Sequence, residues 1–521
     1  MHIHNTSRVM SVIVGIITIA VLFTSCQFSL SPPDNLVIAE EVQSDNSDGS
    51  ETFFVGEPLP DDEVTHLMQD LAFGSPFERE AALEIVVNAK DERFIAVFIE
   101  LLRALQIGIV PADDAYIEAL ASLSGQPFGY QWDEWIEWYG ATDLTPPPGF
   151  TTWKGRLLSV IDPGFAEFLN NDHPSDIRVE EIQWGGVRVD GIPALDHAPM
   201  IQAADADYLL GEEPVFGIEI NGDARAYPLR ILDWHEMAND TIDDVPVSLA
   251  YCTLCGAAIA YDGRASDGVV YDFGSSGFLF RSNKLMYDRQ TRTLWNQLTG
   301  KPVLGPLVGQ DVKLDLLPVV LTTWDAWQAQ HPNTLLLDIN TGFSRPYELG
   351  SAYGHYFSAD DTMFPVWQRS EQLETKEHVY ALLIDDVPVA YPVKRVAEEQ
   401  VINDTVLGHT TDQQASEREV VVVGQRGLVS ANGTSRRIGA VTYTAGSEIR
   451  VYERQGQIFK PGREPDTILD ENGQVWMMQE DALVGPDGTR LPRINGHLAY
   501  WFGWYAFYPQ TVVYGSEDIR Q

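Results

Sequence analysis

Cysteine is scarce in this chain, with three residues among 521. That excludes a dense disulfide framework as the basis of the fold, and a four-thiolate zinc site with it. Basic residues are also few, 34 against 76 acidic ones, for a formal net charge of -42. A surface of that sign repels phosphate backbones, so no nucleic-acid partner is expected. The sequence has no glycine-rich phosphate loop, no nucleophile elbow, no zinc-protease helix motif, and no Cys-x-x-Cys-His for covalent haem. A long apolar run is missing too, apart from Val9 to Phe23, which is too short for a comfortable membrane span. What remains is 44% hydrophobic and 11% aromatic, enough to bury real cores. The length points to about two to four domains.

The short apolar run has a meaning of its own. Arg8 lies in the polar start before it, and Thr24-Ser25-Cys26 closes it, the arrangement of a secretory signal. The ending resembles a bacterial lipobox, with Phe23 where that pattern prefers Leu. The resemblance implies that Cys26 is diacylated and becomes the first mature residue. The expected location is therefore extracytoplasmic, with the chain anchored at the membrane surface through a lipidated Cys26; the alternative is a secreted protein with a plain signal peptide (residues 1–26). Residues 27–60, rich in Ser, Asp, Glu and Pro, read as a flexible linker.

The expected fold class is α+β. Residues 61–145 carry helical periodicity: Pro76 followed by Glu78 and Glu80 starts one run, Phe94 to Leu102 forms a broad apolar face, and Asp113 to Leu123 ends near Gly125. Short amphipathic helices of this kind resemble HEAT-type repeats. The Trp132-Asp133-Glu134-Trp135-Ile136-Glu137-Trp138 stretch is read as their closing helix, and Pro146-Pro147-Pro148 as a stiff linker after it. Beyond this the pattern turns to β. Asn221-Gly222 between two β-type runs predicts a hairpin, and a second hairpin is expected from Ala257 to Tyr261 with Val269 to Phe273.

Internal comparison is more informative than any single motif. Ala226-Tyr227-Pro228 recurs as Ala390-Tyr391-Pro392, and Asn239-Asp240-Thr241 as Asn403-Asp404-Thr405. Trp295 matches Trp476, Gly305-Pro306 matches Gly485-Pro486, and Trp327 matches Trp504. Two tandem, mainly antiparallel β-rich repeats are expected, a first over 185–345 and a diverged second over 346–515. The comparison also sorts residues. Those present in both copies are read as scaffold: Asn-Asp-Thr as a turn, Tyr-Pro as a strand end, and Asp288-Arg289 as the counterpart of Glu453-Arg454. Those confined to the first copy are the functional candidates. His235 stands where the second copy has Glu399, and Cys252-Thr253-Leu254-Cys255-Gly256 stands roughly where it has Val423-Gly424-Gln425-Arg426.

Three readings of this set stay open. Cys252 and Cys255 form a thiol oxidoreductase pair, with Cys252 attacking and Cys255 resolving; His235 would then be a candidate base. Alternatively, Cys252, Cys255 and His235 ligate Zn or Cu. In the third reading the cysteines form a structural disulfide, and the chain is a non-enzymatic surface-binding protein or scaffold that contacts an unknown protein or small molecule through its helices.

The stretch from Gly191-Ile192-Pro193-Ala194-Leu195-Asp196 through Trp234-His235-Glu236, Asn239-Asp240-Thr241, Tyr251-Cys252-Thr253-Leu254-Cys255-Gly256, Tyr287-Asp288-Arg289-Gln290-Thr291 and Leu294-Trp295 resembles the bacterial domain of unknown function family 3179. The family supplies no activity. Some of its members carry selenocysteine in the cysteine motif, and by resemblance this favours redox chemistry over a structural bridge.

Overall fold

Local signals start the helical region, and tertiary packing extends it. The computed structural model describes residues 58–111, 113–409 and 415–516; the signal, Cys26 and most of the expected linker lie outside them. Helices α1 Asp61–Phe73, α2 Pro76–Ala89, α3 Phe94–Gln106, α4 Ala115–Ser124 and α5 Trp132–Gly140 occupy the expected segment. Ser75 and Glu78 close a capping box on α2, with Pro76 at its first turn. The boundary expected at 145 does not hold. Pro147 is buried, and α6 Phe150–Leu158 places Phe150, Trp153 and Leu157 in the same core as α1 to α5. The Trp153 indole donates to the Met68 carbonyl at 2.7 Å. The prolines therefore turn the chain back into the helical core, and α5 is not its last helix. After α7 Gly164–Phe168 the chain enters the β-rich part.

That part is not a pair of tandem repeats. Among the described residues it comprises six small, mostly antiparallel sheets in a propeller-like ring, and a seventh, two-stranded arm, Leu428–Ser435 with Gly439–Ser447. The first half contributes three of the six. The first is centred on Pro214–Ile220 and Asp223–Pro228, joined by Asn221 (φ 52°) and Gly222 (φ 91°) in the expected tight turn. The second is centred on Met237–Ile242, Val245–Cys252 and Ala257–Asp262, and the third on Phe273–Phe280 and Asn283–Asp288. The strands at Ala257–Asp262 and Phe273–Phe280 thus belong to different sheets, which overturns the second expected hairpin.

The second half repeats the order with His378–Ile384 and Val387–Pro392, then Val401–His409 with Ala415–Val423 and Arg450–Glu453, then five short strands from Lys460–Pro461 to Arg490–Pro492. The third sheet abuts the fourth, where Phe280 meets Phe507 and Arg281 donates to the Ala506 carbonyl at 3.0 Å. The sixth returns to the first, where Arg493 donates to the Val319 carbonyl at 2.9 Å. One core runs through both halves, with Phe216, Tyr251 and Leu321 packed in the same cluster as Tyr380, Tyr443 and Leu498. Neither half could cover its own apolar faces, so the halves are parts of one body.

Tyr-Pro ends a strand in each half as expected, at Pro228 and Pro392, whereas Asn-Asp-Thr lies inside a strand and not in a turn, and the side chains of both motifs clamp neighbouring sheets. Asn239 exchanges two hydrogen bonds with the backbone of Phe273 (2.8 and 3.2 Å), as Asn403 does with Phe459 (2.7 and 2.8 Å). The Tyr227 hydroxyl donates to Asp240 at 2.6 Å, as Tyr391 does to Asp404 at 2.9 Å. Trp295 donates to Asp288 and Trp476 to Asp470. The counterpart of Asp288 is therefore Asp470, and Glu453-Arg454 at the end of another strand is not its match.

Candidate functional site

The cysteine turn exists because two strands pair up to its edges. Cys252 is opposite Ala257 in the ladder, and residues 253–256 close the gap with Gly256 at φ +60°. In the second half Val423 is opposite Arg450, and the four-residue turn is replaced by residues 424–449, which carry the two-stranded arm. The same strand junction is thus built without a disulfide.

Cys252 and Cys255 face each other at disulfide distance, and both are buried, at 2% and 0% exposure. The Asn283 amide donates to Cys255 Sγ at 3.2 Å and to Gln297 Oε1 at 2.8 Å. Gln297 is fixed in turn by the Ala250 and Ala257 carbonyls, at 2.9 and 3.2 Å. An N–H aimed at sulfur favours negative charge there. On the opposite side, Tyr500 N donates to the Cys255 carbonyl at 2.7 Å, and Tyr356 OH donates to the Leu254 carbonyl at 2.5 Å.

A buried polar group adjoins the turn. Thr253 donates to Glu236 at 2.9 Å, and the Lys284 ammonium lies 3.3 Å from the same carboxylate. Burial pulls the Lys284 ammonium below its ordinary value, and the Glu236 carboxylate opposes that shift. Glu236 ends the helix α8 Leu229–His235 in a left-handed conformation, φ 56°. Gln400 holds the equivalent place, φ 66°, after the helix Val393–Glu399, so the fold needs the backbone shape and only the first half adds the carboxylate.

His235 is fully buried but is not joined to the cysteines. Its Nδ1 donates to the Pro193 carbonyl at 2.8 Å, and its Nε2 accepts from Tyr347 OH at 2.6 Å. Burial drives its pKa down to about 4 against the opposing Pro193 bond, so the ring is neutral and both nitrogens are engaged. Among the described residues no three His, Cys, Asp or Glu side chains are grouped to hold a metal ion. The expected ligand set Cys252, Cys255 and His235 is therefore not assembled, and His235 is a packing histidine that anchors the segment around Tyr347.

Sequence reasoning missed Asn283, Gln297 and Lys284. One signal was available for Gln297: it stands two residues after Trp295, where Met478 follows Trp476. Asn283 and Lys284 lie beyond the reach of a constant offset, because the loops between the two halves' strands differ in length.

A family model described as "Protein of unknown function (DUF3179)" matches residues 189–511. The match spans both halves, in keeping with a single body. No curated protein and no solved structure matches the chain. No helix among the described residues is long and apolar enough to cross a membrane.

Proposed function

Since the chain belongs to the DUF3179 family, which carries no described activity, we propose from the site itself that Cys252 and Cys255 are a thiol–disulfide redox pair. The observation that carries the reading is the Asn283 amide on Cys255 Sγ, in a hydrogen-bonded frame confined to the first half. A structural staple is the poorer account. Closing a four-residue ring contributes only about 2 kcal/mol by chain entropy, and the second half forms the same strand junction without one.

In the exchange, the thiolate of an external dithiol attacks Cys252 Sγ and the Cys252–Cys255 bond breaks. Cys255 leaves as a thiolate facing the Asn283 N–H. The donor's second thiol then displaces Cys252, leaving the donor as a disulfide and the pair with its two electrons and two protons. Cys252 takes the exchanging role because it retains a trace of exposure, whereas Cys255 has none.

Mild reduction of the native full-length chain by dithiothreitol is expected to yield two alkylatable thiols and to reverse on oxidation. Asn283→Ala is expected to raise the pKa of the Cys255 thiol by about 1–2 units, the equivalent of one hydrogen bond to a charged group. A bridge that opens only in denaturant would make it a staple and sink the reading.

The same proposal puts this chemistry outside the cytoplasm, on a chain tethered through Cys26, supported by the apolar run and the Thr24-Ser25-Cys26 ending. Cys26→Ser is expected to release the protein from the membrane fraction, and unchanged partitioning would remove the lipid anchor from the account.

A further inference from the structure

Both sulfurs are buried, so an external dithiol reaches Cys252 only after something moves. Two covers lie on the turn. One is the helix Trp501–Tyr505, whose Gly503 is packed against Cys255. It continues directly from the strand His497–Tyr500, which is paired with His378–Ile384. The other is the stretch 353–376. Its Tyr356 and Val366 share one apolar cluster with Cys252 and Cys255, and its Phe364 and Leu373 pack against that cluster. The Tyr356 hydroxyl reaches the turn itself, at the Leu254 carbonyl.

The two covers are held differently. Among the described residues, the chain between Leu337 and His378 forms no strand and one short helix, Gly354–Phe357. A connection of that length with so little structure of its own is uncommon, and lids are a frequent reason for one. Lys376 ties its ends together: the ammonium donates to the Tyr356 and Ala359 carbonyls at 2.5 and 2.6 Å and lies 3.8 Å from the centre of the Tyr356 ring. The middle is pinned from two directions. From the third sheet, the Ser282 hydroxyl donates to the Pro365 carbonyl at 2.5 Å, and the Arg281 guanidinium lies 3.6 Å from the centre of the Trp367 ring. From the helical region, Glu137 of α5 accepts from Val366 N at 2.8 Å and from Arg369 at 2.9 Å. Trp367 is also seated against Gly140, where a Cβ would lie 2.4 Å from its ring. These pins are single side-chain bonds, and the Arg369 pair is half exposed to solvent. Breaking them costs far less than unpairing the strand that carries the other cover.

Resting on the redox reading above, we infer that residues 353–376 are a lid over the Cys252–Cys255 bridge, latched by Glu137 of the helical region. Local opening withdraws Tyr356 and Val366 from the cluster they share with the cysteines and uncovers the turn. The external dithiol then attacks Cys252, the S–S bond breaks, and the donor leaves as a disulfide while the pair keeps two electrons and two protons. Reclosure returns Val366 N to the Glu137 carboxylate. The helical region thereby acts on the sulfurs through the lid, and the grip of α5 on Val366 and Arg369 sets how often they are reached.

The test follows thiol appearance in dithiothreitol, without denaturant, for the full-length chain and three variants. Glu137→Ala removes the latch on the helical side and should speed reduction by about 10-fold or more. Ser282→Ala removes the pin from the third sheet and should speed it by about 5-fold or more. Amide exchange across residues 358–374 should quicken in both variants, while that of the strand His497–Tyr500 stays as in the native chain. Glu480→Ala is the control. It breaks a buried ion cluster with Arg450 and Arg493 at another seam of the ring, so it lowers global stability and should leave the reduction rate within about 2-fold of native. If neither lid variant speeds reduction, or Glu480→Ala speeds it as much, the lid inference is wrong and the redox reading stands. If dithiothreitol opens the bridge in none of the four proteins, the redox reading itself fails.

Discussion

Glu480→Ala is expected to destabilise the protein by about 3–5 kcal/mol, because it strands buried guanidinium charge. Glu480 accepts from Arg450 Nη2 at 2.5 Å and from Arg493 Nη1 at 2.5 Å, and all three side chains are at most 4% exposed. Glu448 would still pair with Arg450, but Arg493 would lose its carboxylate. Arg493 also donates to Val319, so the cluster sits where the sixth sheet closes on the first. Thermal unfolding should shift down by about 5 °C or more; a change within about 1 °C would mean the network contributes nothing to closure.

The pH dependence follows from the same cluster. Burial alone would raise the Glu480 pKa, but the two guanidiniums overcome it and hold the carboxyl at about 2 against an ordinary 4.5. A depressed folded-state value contributes stability that is complete above the unfolded pKa and is lost as pH falls toward about 2. Wild-type stability should therefore drop across that interval, and the Glu480→Ala curve should be flatter there. Parallel curves would contradict the assignment.

Gly503→Ala is expected to loosen the cysteine turn. Gly503 lies in the helix Trp501–Tyr505, and a Cβ at this position would sit 2.5 Å from the Cys255 Cβ. No side chain fits there, so the helix must lift away from the turn, straining the Tyr500 N to Cys255 carbonyl bond beside it. Overpacking of this kind costs about 1–3 kcal/mol. If that cost appears as local opening, reduction of the disulfide should speed up by about 10-fold for each 1.4 kcal/mol. The measurement is the rate of thiol appearance in dithiothreitol, native chain against variant. A variant with lowered stability and an unchanged reduction rate would show that this helix does not guard the sulfurs.

Much of the local structure was legible from the residues. Pro76 with Glu78 and Glu80 encodes a helix start, and Asn221-Gly222 a hairpin, through interactions spanning only a few positions. Boundaries were less legible. The three prolines at 146–148 look like the end of a unit, but Trp153 beyond them finds its partner at Met68. Proline sets only the local backbone, and which core a later tryptophan joins is decided by contacts more than 80 residues away.

The cysteine motif shows the same division. That Cys252 and Cys255 are set apart from everything in the second half follows from internal comparison alone, because recurring motifs expose what only one stretch has. The same comparison singled out His235, and there it misled. Sequence can mark a histidine as unshared, but its ring nitrogens face Pro193 and Tyr347 because of how distant segments pack. Asn283 reaches the sulfur, with Gln297 bonded to it, only because the third sheet lies against the second. What the sequence determined by itself is the presence of the pair, its strand-turn setting and the recurrence of short motifs, all properties of short-range order and repetition. Tertiary structure alone decided that the two halves close into one ring with a common core, that the pair is buried beneath it, and that an amide replaces a histidine as its neighbour. Sheet-to-sheet packing joins residues by apolar face and not by chain position, so no spacing in the sequence records it.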